Sequence, residues 1–266
     1  MKSKIKPLIA LCFSIAAGLW AVPATHAEFV LNASCSSQIA ESFGREALES
    51  FMQESGVKVK VHVFSSEVCI ERLKHGFSNL AGSTVGISKA DREAGLVEIP
   101  VCRDPMAVIT HPSCKVKNLS LNQVREIFSA HTTNWKELGR DNLPVVLVIP
   151  SKSTGAYQNF MKLAMGPFEM KDDLVANEAF TAVLGARHIP GSISFIANSI
   201  AEQHKDVTVV SLDGVYPKDA AYPFHQVFYL VIKGEPDPML KQVIKYMISD
   251  KAKKRMVDRG MTPIIK

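Results

Sequence analysis

Three short segments of this chain share one construction, in which an apolar strand runs into Ser- and Thr-rich residues that open a helix. They lie at residues 34–37, 65–66 and 152–155 and carry Ser34, Ser36, Ser65, Lys152, Thr154 and Gly155. The first turn of a helix leaves backbone N–H groups without intrahelical partners, and the helix dipole places partial positive charge there. Hydroxyls beside those N–H groups add further donors. Capping alone accounts for one such turn, because Ser and Thr are good N-caps. Three of them in one α/β chain point to a site that strips water from a small anion and holds it by hydrogen bonds.

Other chemistries find no support in the motifs. The sequence has no HExxH, no CxxC and no pair of histidines at helical spacing, so neither a metal nor a haem is expected. It has no G-x-S-x-G elbow, and the Lys152-Ser153-Thr154 run lacks the upstream glycine spacing of a nucleotide-binding loop. No nucleophile, base and orienting group can be assembled by motif, which argues for a binding protein that needs no cofactor rather than an enzyme. Trp135 and Phe128 read as packing residues.

The chain opens MKSKIKPLIALCFSIAAGLWAVPATHA, with Lys2, Lys4 and Lys6 ahead of an apolar run and small residues ending at Ala27. That is the layout of a cleaved secretory leader over residues 1–27, which places the mature protein in the periplasm. Of 266 residues, 239 remain without it, and losing its three lysines takes the net charge from +5 to +2. Nucleic acid is therefore not an expected partner. Four cysteines remain, Cys35, Cys69, Cys102 and Cys114. An oxidising compartment and an even count favour disulfides, and of the three possible pairings Cys35–Cys69 with Cys102–Cys114 is preferred.

The elements that must position the loops alternate short apolar strands with amphipathic helices, the pattern of an α/β protein. Strands are expected at 29–31, 57–63, 97–101, 106–110, 145–149, 207–211 and 227–232. Residues 32–37 read as a polar loop before a helix that reaches about residue 54. Ser120 with Gln123 forms a capping-box pattern, and Asp237-Pro238 opens a helical C-terminal part that ends near Gly260.

Four stretches taken in order resemble the substrate-binding proteins of phosphate-type ABC transporters. They are LSLNQVREIF at 119–128 with TNWK at 133–136, IPGSISF at 189–195, YPFHQVFYL at 222–230 and RGMTP at 259–263. The resemblance implies an α/β, two-lobed type II periplasmic binding protein fold with a hinge and a central ligand cleft. One lobe would combine residues 28–106 with 222–266, and the other would span 107–221. It also implies a monomer that captures phosphate or a related oxyanion for a membrane permease. The alternative is a regulatory binding protein that presents itself to a membrane sensor. The family's ligand loops map onto residues 33–36, 65–66, 83–89 and 152–156, which adds Ser88 and Lys89 to the candidate set. The chain departs from the pattern in several places. Ser83 stands where the family has an aspartate, Lys89 replaces an arginine, Thr154 takes a serine position, and Lys152 is the nearest cation to an arginine position held by Pro150. Lysine does not reproduce the planar fork of arginine, so the scaffold matches the family better than its ligand shell does.

Overall fold

The computed structural model describes residues 30–265, so the leader expected at residues 1–27 lies outside the described residues. The chain begins with β1 (Val30–Ser36), α1 (Ser37–Ser55), β2 (Lys58–Phe64), α2 (Ser66–Lys74), β3 (Leu80–Ser83), α3 (Lys89–Glu93) and β4 (Leu96–Thr110). It continues through β5 (Asn118–Leu119), α4 (Leu121–Phe128), β6 (Val146–Pro150), α5 (Gly155–Phe160), β7 (Leu174–Ala176), α6 (Ala179–His188), β8 (Ser192–Ala197), α7 (Asn198–Ala201) and β9 (Thr208–Leu212). It closes with β10 (His225–Lys233), α8 (Pro238–Met247), α9 (Asp250–Asp258) and β11 (Thr262–Pro263).

The strands follow the order β2-β1-β3-β10-β4-β8-β6-β7. β1 pairs in parallel with both β2 and β3, and β6 pairs in parallel with β7 and β8. β4 joins the two groups: its first ten residues run antiparallel to β10, and Met106–Thr110 pair with β8 and β9. Sequence reading expects two strands here, at 97–101 and 106–110. The structure instead keeps one 15-residue strand. The register slips between Phe228 and Tyr229, which face Cys102 and Pro100, so Val101 is the extra residue of a bulge. Its carbonyl accepts from Ile264 N and Ile265 N instead.

A second difference lies in β1. Residues 32–36, expected as a loop, are strand, because pairing on both sides overrides the weak strand preference of Asn, Ala and Ser. Alternation along β1 then decides what each residue faces. Leu31, Ala33 and Cys35 point toward the layer of α1, α8 and α9, while Ser34 points toward α2, where Arg72 Nε donates to its hydroxyl at 3.1 Å. α1 breaks at Gly44, whose φ of 72° suits glycine, and Arg259 Nη1 donates to the freed Ser42 carbonyl at 2.8 Å. Around β6 and β8 the core is aromatic: Phe160 stacks on Phe195 at 3.9 Å, and Phe128 meets both edge-on. Trp135 is fully buried and donates from Nε1 to Gly191 O at 2.9 Å, a packing role as expected. The capping box at Ser120 and Gln123 is present, and Asp237 caps α8 with Pro238 in its first turn.

The disulfide expectation is corrected: Cys35, Cys69, Cys102 and Cys114 are all free thiols. Cys35 faces the α1 side of the sheet, whereas Cys69 packs with Ala81 and Val231 on the opposite face. The intervening strand layer keeps them from the converging geometry a disulfide requires. Cys102 and Cys114 are separated by the remaining length of β4, roughly 26 Å of extended chain from Cys102 to its last residue. Cys102 Sγ meets Met261 Sδ at 3.7 Å, and Cys114 Sγ donates to Ser192 O at 3.6 Å. Burial raises all four thiols above the usual range, Cys69 and Cys114 to about 12, so none is a thiolate at neutral pH.

Candidate functional site

The N-terminal ends of α1, α2 and α5 converge on one cavity, which Ser36, Gln38, Ser65, Ser66, Thr84, Thr154 and Gly155 line among others. Each end is capped by the hydroxyl that the sequence supplies. Ser36 Oγ accepts from Ile39 N at 3.3 Å, Ser65 Oγ from Val68 N at 3.4 Å, and Thr154 Oγ1 from Tyr157 N at 3.3 Å. Accepting those bonds leaves the hydroxyl protons of Ser36 and Ser65 available to a ligand. Thr154 instead donates its proton to Ser151 O at 2.6 Å. No lysine or arginine lines the cavity. Glu178 at the start of α6 does line it, so attraction for an anion has to come from N–H groups and helix ends, against that carboxylate.

Of the residues expected at the site, Ser36, Ser65, Thr154 and Gly155 line this cavity together, and the other four do not. Ser34 is held on the α2 side by Ser78 Oγ at 2.5 Å and by Arg72. Ser88 caps α3 in a capping box with Asp91. Lys89 is 91 % exposed and faces Glu93 on the surface. Lys152 is exposed on the turn before α5. Parity along β3 and geometry at its end explain part of the difference. Ser83 turns back on its own loop, donating to Val85 O at 2.7 Å, and the next residue, Thr84, reaches the cavity. Gln38 was missed because an amide in the first turn of a helix carries no anion signature in sequence.

The two sides of the cavity touch. A Cβ placed on Gly155 would lie 1.9 Å from Thr84 Oγ1 and 3.0 Å from Ser66 Oγ, so a bare α-carbon is what lets β6 and α5 approach β3 and α2. Thr84 N in turn donates to Ser66 Oγ at 3.1 Å, and Asn159 Nδ2 on α5 donates to Thr84 O at 2.6 Å. The start of α6 is satisfied from across the cavity. Its N-cap residue Glu178 makes no capping bond, and Ala179 N and Phe180 N donate instead to Ser37 Oγ and Glu41 Oε1 on α1, each at 3.2 Å. Glu41 is pushed up to about 7 by its burial and by nearby Glu178, against the opposing Phe180 N–H. At the crossing of β4, buried Asp104 accepts from Ser199 N at 3.2 Å and is also pushed up to about 7, by burial, against its bonds to α7.

Among the described residues there is no cluster of His, Cys, Asp and Glu fit to hold a metal, and no helix long and apolar enough to cross a membrane.

A family model described as a PBP superfamily domain matches residues 22–251. A phosphate-binding protein of Bacillus subtilis, PstS, is 28 % identical over 227 residues, covering 82 % of this chain and 75 % of the relative. Among solved structures, a candidate phosphate ABC transporter substrate-binding protein from Clostridium perfringens, with phosphate bound, superposes with a TM-score of 0.81 at 22 % identity. It covers 89 % of this chain and all of its own. An ABC-type phosphate transport receptor from Vibrio cholerae gives a TM-score of 0.67 at 23 % identity over 87 % of this chain and 99 % of its own. These likenesses establish the two-lobed α/β architecture of type II periplasmic binding proteins that the sequence motifs imply.

Proposed function

The chain belongs to the PBP superfamily, and on that premise we propose that its cleft captures inorganic phosphate and hands it to the permease of an ABC transporter. One observation carries the reading. Three helix N-termini, each with its Ser or Thr cap, meet at a single cavity that Ser36, Gln38, Ser65, Ser66 and Thr84 line together with Glu178. Such a site replaces the hydration of an oxyanion with fixed dipoles, which binds charge without a counter-ion. The relatives named for phosphate binding and phosphate transport support the same ligand.

Lobe 1 in this reading combines residues 28–106 with 222–266 and lobe 2 is 107–221, with β4 and the segment before β10 as the crossing strands. Binding closes the lobes by hinge motion. Capture requires no covalent step, so the protein acts as a carrier rather than an enzyme. The leader at residues 1–27 exports it to the periplasm, where it works as a monomer. Isothermal titration of the chain without residues 1–27 against inorganic phosphate, with sulfate as comparator, tests the ligand assignment. Saturable one-to-one binding of phosphate at micromolar concentration or below is expected. Absence of binding at millimolar phosphate overturns it.

A further inference from the structure

Gln38 holds a position that none of the expected site residues accounts for. It is the second residue of α1, lines the cavity and is 4 % exposed. Its Oε1 accepts from Gln226 Nε2 at 2.7 Å, while its Nε2 is buried with no hydrogen-bond partner among the described residues. A buried, unsatisfied amide donor is rare, and each instance asks for an explanation.

Oxygen and nitrogen of a glutamine are interchangeable in shape, so the direction of this amide has to be fixed by its partners. The fixing runs through a chain of three amides. Asn159 Nδ2 lies 2.6 Å from the backbone carbonyl of Thr84, which only accepts, so that atom is the nitrogen. The same nitrogen donates to Gln226 Oε1 at 3.3 Å. Gln226 therefore directs its own nitrogen at Gln38, and Gln38 must meet it with oxygen. What remains is Gln38 Nε2. One unambiguous carbonyl just after β3 thus propagates through α5 and β10 to present a donor on α1. Gln226 is itself 2 % exposed, so neither relay member reorients without breaking buried bonds.

We infer that Gln38 Nε2 is a ligand-binding donor of the cleft, oriented by the Asn159–Gln226 relay, and that the oxyanion it receives presents an unprotonated oxygen there. The inference rests on the phosphate-capture reading and deepens it. It assigns an additional contact residue and states the protonation of one ligand oxygen. It also gives the relay a function in recognition: Asn159 contacts Thr84 across the cleft, so the donor is aligned most firmly when the two sides are together.

The test compares phosphate titrations of the wild-type chain, Gln38→Met and Gln38→Glu at pH 8, with thermal melts to show that each variant is folded. Methionine keeps the volume and removes the donor. Losing a hydrogen bond to a charged ligand group is expected to weaken phosphate binding roughly ten- to a hundred-fold. Glutamate keeps the shape and the bond from Gln226 but turns a carboxylate oxygen toward the anion, so the loss is expected to exceed that of Gln38→Met. Should wild type bind and both folded variants stay within three-fold of it, the Gln38 assignment is overturned while phosphate capture stands. Should wild type itself fail to bind phosphate, the capture reading falls and the Gln38 assignment with it, and the wild-type arm alone reveals that case.

Discussion

The two walls of the cleft are made differently. The wall of α1, α2 and β3 brings side chains: the hydroxyls of Ser36, Ser65, Ser66 and Thr84, and the amide of Gln38. The wall of β6, α5 and the start of α6 brings no side-chain donor: the Thr154 hydroxyl proton is committed to Ser151 O, Gly155 has no side chain, and Glu178 is a carboxylate. What the second wall contributes is approach. Gly155 sits against Thr84, Asn159 reaches over to the Thr84 carbonyl, and the start of α6 donates to Ser37 and Glu41. One side recognises and the other closes over it. On the proposed function, an oxyanion would be dehydrated by donors on one side, while the other would supply helix N–H groups and closure.

The largest effect on this division is expected from Gly155→Ala. A methyl 1.9 Å from Thr84 Oγ1 forces Thr84 to turn away from its place at the seam or the walls to separate. Phosphate affinity is expected to fall at least about a hundred-fold, the scale at which a misplaced closing element costs several kilocalories. Small-angle scattering should show that added phosphate no longer compacts the variant. Adding Thr84→Ala to Gly155→Ala removes the clashing hydroxyl, so the double variant should bind more tightly than Gly155→Ala alone. If Thr84→Ala worsens binding equally in both backgrounds, the two residues are not in conflict and the closing role of Gly155 is wrong.

The capping residues of both walls were legible in sequence and the other lining side chains were not, for a physical reason. N-caps announce themselves, because Ser and Thr before a helix have a local job that a single sequence displays. Ser36, Ser65 and Thr154 were therefore found, and each caps as expected. Contacts set by strand parity or by tertiary approach leave no local trace. Ser83 and Thr84 are adjacent hydroxyls, and only tertiary contacts tell them apart: Ser83 turns to Val85 O, while Thr84 meets Ser66 and lines the cavity. Lys89 and Lys152 were attractive because anions attract cations, yet both project into solvent. The cysteines misled in the same way. Compartment and even count favoured pairing, but Cys35 and Cys69 occupy opposite faces of one sheet. The motifs at 119–136, 189–195 and 222–230 gave the fold, because they encode packing: Trp135, Phe195, Tyr222 and Phe228 are all buried core residues.

A matched pair of substitutions sharpens the contrast. Ser36→Gly and Thr154→Gly both delete an N-cap hydroxyl, and glycine is itself a tolerable cap, so each should lower stability by only a few tenths of a kcal/mol. Their effects on phosphate should differ. Ser36 holds a hydroxyl proton with no protein acceptor assigned, whereas the Thr154 proton goes to Ser151 O. Calorimetry is expected to show about ten-fold weaker binding for Ser36→Gly and less than about three-fold for Thr154→Gly. Equal losses would mean that both walls contribute hydroxyl donors, and the division would have to be abandoned.

The smallest effect is expected where charge alone would predict a large one. Lys89 is 91 % exposed beside Glu93, and Lys152 is exposed on the turn before α5, so neither lines the cavity. Surface charges remote from a ligand act through screened fields, which fade over about 8 Å at physiological ionic strength. Lys89→Ala with Lys152→Ala should therefore leave phosphate affinity within about two-fold of wild type at 150 mM salt, consistent with surface changes of about 0.5 kcal/mol or less. Stopped flow at low salt compares association, where removing two positive charges is expected to slow encounter modestly while leaving dissociation unchanged. A ten-fold rise in the dissociation rate would instead place one of these lysines in contact with the bound anion. That would mean the cleft closes further around its ligand than the walls do here, with formal charge joining the dipoles in holding phosphate.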